Sequence, residues 1–231
     1  MKLSHKISKL AAPETYRRAA RSARRRLFPI AIDPLVTQLD QARLRDLQSR
    51  YRGNKENYAK YADIGRWLNR HAAKIQDLGL DRAAPKVILD LGCGGGFFLY
   101  LARQFGHTGI GLDLDVFPLF RELTELLDVP RVVWAIQPLQ PLPPFDHQFD
   151  LITAFSTRFN RDAADTKIWG RDEWHFLLDD LKTRLNPGGQ VFLEINSGKH
   201  ADYYPAEVKN LFRARGARLE RDYAWFKNGV R

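Results

Sequence analysis

The segment Asp90-Leu91-Gly92-Cys93-Gly94-Gly95-Gly96, preceded by the apolar run Val87-Ile88-Leu89, constrains the architecture of this chain more than any other. An apolar run that leads into an acidic residue and then into alternating glycines is typical of a buried parallel strand that turns into a helix. The glycines allow a tight turn and let a ligand approach the main chain where no Cβ is in the way. The segment therefore predicts a ligand-binding turn in an α/β sheet.

A second apolar strand is predicted over residues 107–112, and it ends at Asp113, which lies 21 residues after Gly92. This separation is close to the offset of roughly 20 residues at which an acid meets a ribose diol in nucleotide-binding sheets. The dinucleotide pattern fails because Phe97 occupies the position of its last glycine. A phosphate-binding P-loop is also excluded, since no Gly-Lys-Ser or Gly-Lys-Thr follows the turn.

The pattern that remains, acid-x-Gly-x-Gly-x-Gly, resembles the first motif of the class I S-adenosylmethionine-dependent methyltransferases. The resemblance implies S-adenosyl-L-methionine as the cofactor. It also implies a set of cofactor-binding residues at the turn and after the second strand: Asp90, Gly92, Cys93, Gly94, Gly96, Asp113 and Leu114. The alternative is another doubly wound α/β domain that happens to have a glycine-rich first turn.

Later segments follow the same family in order, with strands over residues 131–136, 149–155 and 190–195. A proline-rich connection over residues 138–146 precedes the fourth strand, and Asn186-Pro187-Gly188-Gly189 ends a helix. The resemblance covers residues 58–223. It implies an α/β fold: a Rossmann-like, doubly wound, mostly parallel sheet of the seven-stranded type, with helices on both faces and N-terminal helices in front.

Two departures from the family pattern concern the adenine and the C-terminus. After the third strand the family often has an acid that binds the adenine amino group, whereas this chain has Ile136 and Gln137. We expect Gln137 to accept that hydrogen bond and Ile136 to cover the ring, with Phe155 as a further cofactor contact. The family usually ends in a strand pair, but here only one strand, over residues 217–226, follows a helix over residues 205–215.

The composition indicates a globular chain without a membrane span. At 231 residues and 44% hydrophobic content, the chain has enough length for one full core and an appendage. No run approaches the roughly 18 apolar residues that a membrane span needs. Cys93 is the only cysteine, which favours a reducing, cytoplasmic location. The six histidines are scattered, so we expect no metal site.

The positive charge is concentrated at the N-terminus. Residues 1–28 hold nine basic residues and one acid, Glu14, and the rest of the chain holds 28 basic and 26 acidic residues. This asymmetry predicts a basic arm over residues 1–32, and the family resemblance implies a helical lid over residues 33–82 followed by the methyltransferase core over residues 83–231. In the lid, we expect one helix to start at Asp33-Pro34 and another to cover residues 58–78. The lid residues that are candidates to contact the ligand are Tyr51, Arg52, Tyr58 and Tyr61.

The arm over residues 1–28 has several open interpretations. Its charge favours peripheral contact with an anionic membrane, at about 1 kcal/mol per basic residue near the surface. Its arginine-rich, acid-poor composition is also compatible with an RNA or acidic partner, with a transit peptide, or with a solvated tail. We expect the protein to be cytoplasmic, with peripheral contact at the inner membrane surface as the favoured role of the arm.

The acceptor is expected beyond the fourth strand, where residues 156–172 form a long segment. We predict that Phe159 and Trp169 line the acceptor pocket, whereas His175 is only a weak candidate for a general base and no catalytic residue is assigned. The Asp/Asn-Pro-Pro-aromatic signature of amino-directed DNA methyltransferases is absent, because the corresponding residues are Thr153-Ala154-Phe155-Ser156. A small-molecule, lipid or glycan acceptor methylated on oxygen is therefore favoured. The alternatives are an RNA-modifying methyltransferase that uses the arm, and a cofactor-binding adaptor without turnover.

Overall fold

The chain folds around one mixed sheet. A computed structural model describes residues 13–159, 168–196, 204–220 and 222–231. The strands within these ranges are β1 (Val87–Leu91), β2 (Thr108–Asp113), β3 (Arg131–Val133), β4 (Phe149–Thr157), β5 (Leu185–Ile195), β6 (Arg218–Glu220) and β7 (Tyr223–Phe226). Their order in the sheet is β3-β2-β1-β4-β5-β7-β6. Strands β1 to β5 pair in parallel, and β7 runs antiparallel to both β5 and β6.

Helices cover both faces of the sheet, which confirms the predicted Rossmann-like, doubly wound fold. They are α1 (Pro13–Leu27), α2 (Asp33–Thr37), α3 (Gln41–Tyr51), α4 (Ile64–Asp77), α5 (Phe97–Gln104), α6 (Pro118–Leu126), α7 (Arg171–Thr183) and α8 (Ala206–Ala214), with 3₁₀ segments at Asn57–Ala62 and Leu80–Arg82. Buried residues of α4, α5 and α6 belong to one core cluster, and those of α7 and α8 to another. Among the helices described, none is long and apolar enough to cross a membrane.

Successive strands are added to one side of β1 up to β3 and to its other side from β4 onward, so the order of the strands reverses at β1. Strand β1 pairs with β2 on one side, where Leu89 faces Ile110, and with β4 on the other, where Leu89 faces Ile152. In an open parallel sheet, a crevice forms beyond the carboxyl ends of the strands at such a switch point. The glycine turn, defined here as residues 92–96, follows β1 directly and therefore lies at this crevice.

Two strand predictions are corrected by the structure. The third strand ends at Val133 rather than at residue 136, because its partner β2 ends at Asp113 and has no further residues with which β3 could pair. The single strand predicted over residues 217–226 is instead the hairpin of β6 and β7, in which Glu220 pairs with Tyr223. The strand pair that is usual in the family is therefore present.

The helices before the core are also divided differently from the prediction. Asp33 is the first residue of the short helix α2, and no side-chain hydrogen bond caps the start of this helix. The capping side chain is that of Asp40, which accepts hydrogen bonds from the backbone N–H groups of Ala42 (2.9 Å) and Arg43 (3.0 Å) and so starts α3. Asp63 caps α4 in the same way, at 3.2 Å from the backbone nitrogen of Arg66.

Helix α1, in the basic arm, docks on the domain through its arginines. The Arg21 guanidinium lies 3.5 Å from the Glu220 carboxylate, and Arg24 forms an ion pair with Asp81. On the same helix, Tyr16 and Leu27 are 67% and 73% exposed. The arginine side of α1 therefore faces the domain and its apolar stripe faces solvent. Residues 1–12 lie outside the described part of the chain, and the predicted membrane contact stays a prediction.

Candidate functional site

The glycine turn adopts a backbone conformation that side chains disfavour. Gly92, Gly94 and Gly96 have φ angles of +72°, +55° and +78°, all in the left-handed region. A Cβ on Gly92 would lie 2.7 Å from the hydroxyl oxygen of Thr157, whereas a Cβ on Gly94 would meet nothing closer than Phe120, at 3.9 Å. Gly92 is thus required by the packing of the protein, whereas Gly94 leaves space open beside the turn.

Asp113 at the end of β2 is tied to the glycine turn. Its carboxylate accepts a hydrogen bond from the backbone N–H of Gly94 and another, at 2.7 Å, from the backbone N–H of Leu114. The carbonyl oxygen of Leu112 accepts from the N–H groups of Gly92 (2.7 Å) and Cys93 (3.0 Å). Burial raises the pKa of the Asp113 carboxyl, while these two backbone donors oppose the shift. The turn and the acid therefore form one rigid unit.

Asp90 is a buried acid at the start of the same turn. The hydroxyl of Thr153 on β4 donates to its Oδ1 at 2.7 Å. Burial raises the pKa of Asp90 to about 7, the hydrogen bond from Thr153 opposes this, and the nearby Asp113 adds to it. A carboxyl in such a position is stabilised by a positively charged group brought into the crevice.

These elements enclose a cleft with a volume of about 180 Å³ at the carboxyl edge of the sheet. One side consists largely of turn backbone, and the others consist of aromatic and charged side chains from α4, α5, α6, β4 and β5. The lining residues are Tyr61, Trp67, Arg70, His71, Lys74, Asp90, Gly92, Cys93, Gly94, Gly95, Phe97, Asp113, Phe120, Phe155, Ser156 and Glu194.

Helix α4 contributes a histidine and a lysine to the cleft. The Nδ1 atom of His71 lies 2.9 Å from the carbonyl oxygen of Trp67, one helical turn earlier. Burial lowers the pKa of His71 to about 4, so its ring is neutral at pH 7. Burial also lowers the pKa of Lys74 to about 8, although its amine forms an ion pair with Glu194 on β5.

Glu194 connects this lysine to the end of β4. Its Oε1 accepts a hydrogen bond from the Ser156 hydroxyl at 3.2 Å, and its other carboxylate oxygen contacts Lys74. Ser156 has a φ of +54° and lies in an irregularity of the β4–β5 ladder between Phe155 and Thr157. Such bulges next to a site redirect a side chain, and here the irregular position brings the Ser156 hydroxyl to Glu194.

The structure brings together six of the cofactor-binding residues predicted from the sequence: Asp90, Gly92, Cys93, Gly94, Asp113 and Phe155 all line the cleft. Gly96 instead starts α5, and a Cβ there would be 3.1 Å from Val129, so its role is close packing. Leu114 is 44% exposed, and its contribution to the site is the backbone N–H that donates to the Asp113 carboxylate. Ile136 packs against the second core cluster and Gln137 is exposed, because β3 ends before them.

The predicted acceptor residues Phe159 and Trp169 do not line the cleft. They are 4% and 2% exposed, and their rings form a core cluster with Trp174 of α7. The backbone N–H of Trp169 donates to the carbonyl of Phe159 at 3.0 Å, which holds the two residues together beneath the surface. The segment between them, residues 160–167, lies outside the described residues. His175 is paired with Asp179 on an exposed face of α7, away from the cleft.

The charged side of the cleft was not predicted from the sequence. Tyr61, which was predicted as a lid contact, does line the cleft. Arg70, His71 and Lys74 lie on α4, beside the apolar stripe that buries Leu68 and Ile75. Glu194 interrupts the otherwise apolar strand end Phe192-Leu193-Glu194-Ile195. A buried acid in a core strand is the signal that would have identified this side. Among the described residues, no group of His, Cys, Asp or Glu could hold a metal ion.

Comparisons with known proteins identify the family of the chain. Residues 58–221 match the family described as "Methyltransferase domain". The chain belongs to this methyltransferase family. Curated relatives include the tRNA U34 carboxymethyltransferase of Campylobacter hominis, 30% identical over 112 residues, and that of Campylobacter jejuni, 26% identical over 117 residues. These matches cover 47% and 50% of this chain, but only 35% and 37% of the relatives. Among solved structures, Streptomyces venezuelae DesVI is 17% identical, with 84% of this chain and 99% of that chain covered and a TM-score of 0.44.

The cofactor of this methyltransferase is S-adenosylmethionine, and the residues of the cleft fit it. The carboxylate of Asp113 suits the ribose hydroxyls, and the open space at Gly94 admits a ligand against the main chain. Asp90 suits the amino group of the methionine part. The rings of Phe97, Phe155 and their neighbours suit a sulfonium cation, since aromatic faces attract positive charge.

Proposed function

We propose that this methyltransferase transfers a methyl group to an oxygen atom of a small-molecule, lipid or glycan acceptor. The observation that carries the proposal is a narrow, aromatic-lined cleft in a domain whose charges are nearly balanced outside residues 1–28. A nucleic-acid enzyme usually needs a basic track along its active face. Three arginines of α1 are instead directed at Glu220, Asp81 and Asp77 of the same chain.

The residues of this chain have three tasks in the proposed reaction. When bound, S-adenosylmethionine supplies an electrophilic methyl group on a positively charged sulfur. The glycine turn and Asp113 bind and orient the nucleoside, and the aromatic side chains exclude water from the cleft. Glu194, held between Lys74 and Ser156, is the cleft carboxylate available to take the proton from an acceptor hydroxyl.

Methyl transfer to RNA is the second candidate function. It is supported by the names of the curated relatives, tRNA U34 carboxymethyltransferases, although the match covers only 35% of the Campylobacter hominis protein. The basic residues of the arm that lie outside the described ranges would then hold the nucleic acid. A third possibility from the sequence, a cofactor-binding adaptor, predicts tight cofactor binding without methyl transfer to any acceptor.

The test is to incubate fractionated cell extract with the full chain and methyl-labelled S-adenosylmethionine. Label in the small-molecule, lipid or glycan fraction, stable to conditions that cleave methyl esters, supports the proposal. Label in RNA that is lost when residues 1–28 are removed would replace the proposal by the second candidate. A Gly94→Ala variant should transfer no label. A Gly188→Ala variant, altered at an exposed glycine with φ +79° and open space around it, should transfer label normally.

A further inference from the structure

Helix α1 presents its apolar residues to solvent and its arginines to the protein. The apolar side chains recur at Tyr16, Ala20, Ala23 and Leu27, which is the spacing of a single helix face. All four are exposed, and the two largest, Tyr16 and Leu27, are 67% and 73% exposed. A helix on the surface of a globular domain normally buries such a face against the core. The orientation of α1 is therefore inverted.

A third large apolar residue, Phe28, follows the end of the helix. Its side chain is 66% exposed, and its carbonyl oxygen accepts a hydrogen bond from the Gln76 side chain at 2.5 Å. Tyr16, Leu27 and Phe28 belong to neither of the two core clusters of the domain. Large apolar side chains exposed together, beside charged residues, are typical of a surface that contacts another molecule.

Ion pairs hold α1 in this inverted orientation. Three arginines pair with acids at the end of α4, in the 3₁₀ segment after it and in β6: Arg25 with Asp77, Arg24 with Asp81 and Arg21 with Glu220. The carboxylates of Asp81 and Glu220 are 10% and 2% exposed, so solvent screens their pairs less than it screens pairs on an open surface. Turning the apolar face inward would separate these acids from their partners. The docked arginines therefore keep the apolar face outward.

The remaining charge of the arm restricts what can cover this face. Besides the three docked arginines, residues 1–28 contain six basic residues and one acid, Glu14. A second copy of the chain would bring the same positive charge to the contact, and like charges repel. RNA recognition relies on phosphate contacts and stacked rings, and Ala20, Ala23 and Leu27 provide neither. An anionic lipid surface matches both features, because its headgroups attract basic residues and its acyl boundary accepts apolar side chains.

We propose that α1 is a membrane-binding helix that lies in the headgroup region of an anionic bilayer, with its exposed apolar face toward the acyl chains. Strong amphipathicity, low overall hydrophobicity and an arginine-rich polar face are properties of helices that bind in this way. The three ion pairs then hold the methyltransferase domain on the opposite side of the helix. Arg21 and the cleft residue Glu194 border one small cavity, so the membrane-bound helix adjoins the cofactor cleft. Membrane binding does not depend on methyl transfer, and it favours a lipid among the acceptor classes.

The test measures the partition of the full chain onto vesicles by flotation. The vesicles consist of phosphatidylcholine alone or with about 30% phosphatidylserine. Binding to the anionic vesicles should be at least about tenfold tighter and should weaken as the salt concentration rises. Leu27→Ser should weaken this binding about tenfold, because it removes an apolar side chain that the membrane buries, and Tyr16→Ser should act in the same direction. Leu139→Ser, the same change at a leucine that is 55% exposed outside α1, should leave binding unchanged.

Amide hydrogen exchange on the anionic vesicles tests the orientation of the helix. Exchange should slow in residues 13–28, because the bilayer covers the exposed face. It should stay unchanged in β6, because Arg21 remains paired with Glu220. Faster exchange in β6 on the vesicles would mean that α1 leaves the domain when it binds, and it would overturn the proposed arrangement.

Other results would overturn the membrane contact itself. Equal binding to the two kinds of vesicle would do so, as would equal binding of Leu27→Ser and Leu139→Ser to the anionic vesicles. A dimer of the natural chain in sedimentation velocity that Leu27→Ser converts to a monomer would assign the apolar face to a second copy. Binding to generic RNA without binding to either kind of vesicle would assign the arm to nucleic acid.

Discussion

The two sides of the cofactor cleft are built from different parts of the polypeptide. On the β1 side, backbone groups of the glycine turn and the Asp113 carboxylate form the surface. On the α4 side, the surface is made of side chains such as Trp67, His71 and Lys74, together with Glu194 from a strand 120 residues further along the chain. A site made of backbone requires particular residue types at fixed spacing. A site made of side chains requires only that distant segments meet, and it leaves no local pattern.

The largest loss of cofactor affinity is expected from a substitution that fills the space beside the glycine turn. Gly94→Ala adds a Cβ that meets no protein atom within 3.4 Å. This Cβ projects into the cleft, and the residue has to keep a left-handed backbone conformation. We expect affinity for S-adenosylhomocysteine to fall at least about 100-fold, because the added carbon occupies ligand space. Calorimetry would measure the loss. Gly188→Ala has the same backbone conformation outside the cleft and is the control for strain, so equal losses in both variants would contradict the assignment.

The next effect concerns the acid across from the turn. Asp113→Asn keeps the size of the side chain but removes its charge and one hydrogen-bond acceptor. Affinity for the cofactor should fall about 10- to 100-fold, as expected for lost charge-assisted hydrogen bonds worth roughly 1.5–3 kcal/mol. Asp115→Asn changes an exposed acid two residues later, which pairs with Arg121 and Arg131, and should leave binding unchanged. Unchanged calorimetric affinity in Asp113→Asn would remove Asp113 from the site.

The buried acid Asp90 gives a pH-dependent prediction. Because burial raises its folded pKa to about 7, above the unfolded value of about 3.9, ionisation of Asp90 costs stability as the pH rises between about 4 and 7. Asp90→Asn removes this cost and keeps an oxygen to accept from Thr153. The free energy of unfolding of the variant relative to the natural protein should therefore rise by about 2–3 kcal/mol between pH 5 and pH 8. Urea titrations at both pH values measure it, and a pH-independent difference would refute the assignment.

The smallest effect is expected in the arm. Arg24→Ala removes the ion pair with Asp81, whose partners are partly exposed. The free energy of unfolding should fall by no more than about 1 kcal/mol, but amide exchange in α1 should rise, more strongly at low salt than at high salt. Arg26→Ala, on the exposed side of the same helix, should change neither quantity. Equal exchange in the two variants would mean that the arginines do not dock α1.

Features of the fold could be predicted from the sequence where a local pattern imposes one geometry. The glycine turn, the acid after β2 and the five parallel strands follow from residues that are close together in the chain. The β6–β7 hairpin was missed because the sequence has no glycine, asparagine or proline between the paired residues Glu220 and Tyr223. Asp33 was predicted to start a helix because Pro34 follows it, but it is itself the first residue of α2, and the side chain that caps a helix here is that of Asp40.

The candidate acceptor residues illustrate the limit of such reasoning. Phe159 and Trp169 were assigned to the pocket because they occur in a long segment after β4, but their large apolar surfaces are buried with Trp174. Phe192, Tyr223 and Trp225 read as ordinary strand residues in the sequence. Only the pairing of β5 with β7 places them on one face beside the cleft. Long-range pairing therefore decides which aromatic residues meet beside the cleft.

Amide hydrogen exchange of the full chain with and without S-adenosylhomocysteine tests the central claim most directly. The account predicts slower exchange in residues 90–97 and 111–114 when the ligand is bound, with a weaker effect in α4. This pattern should be absent from Gly94→Ala and present in Gly188→Ala. Protection confined to another part of the molecule, with no change at the glycine turn, would contradict the assignment of the cofactor site.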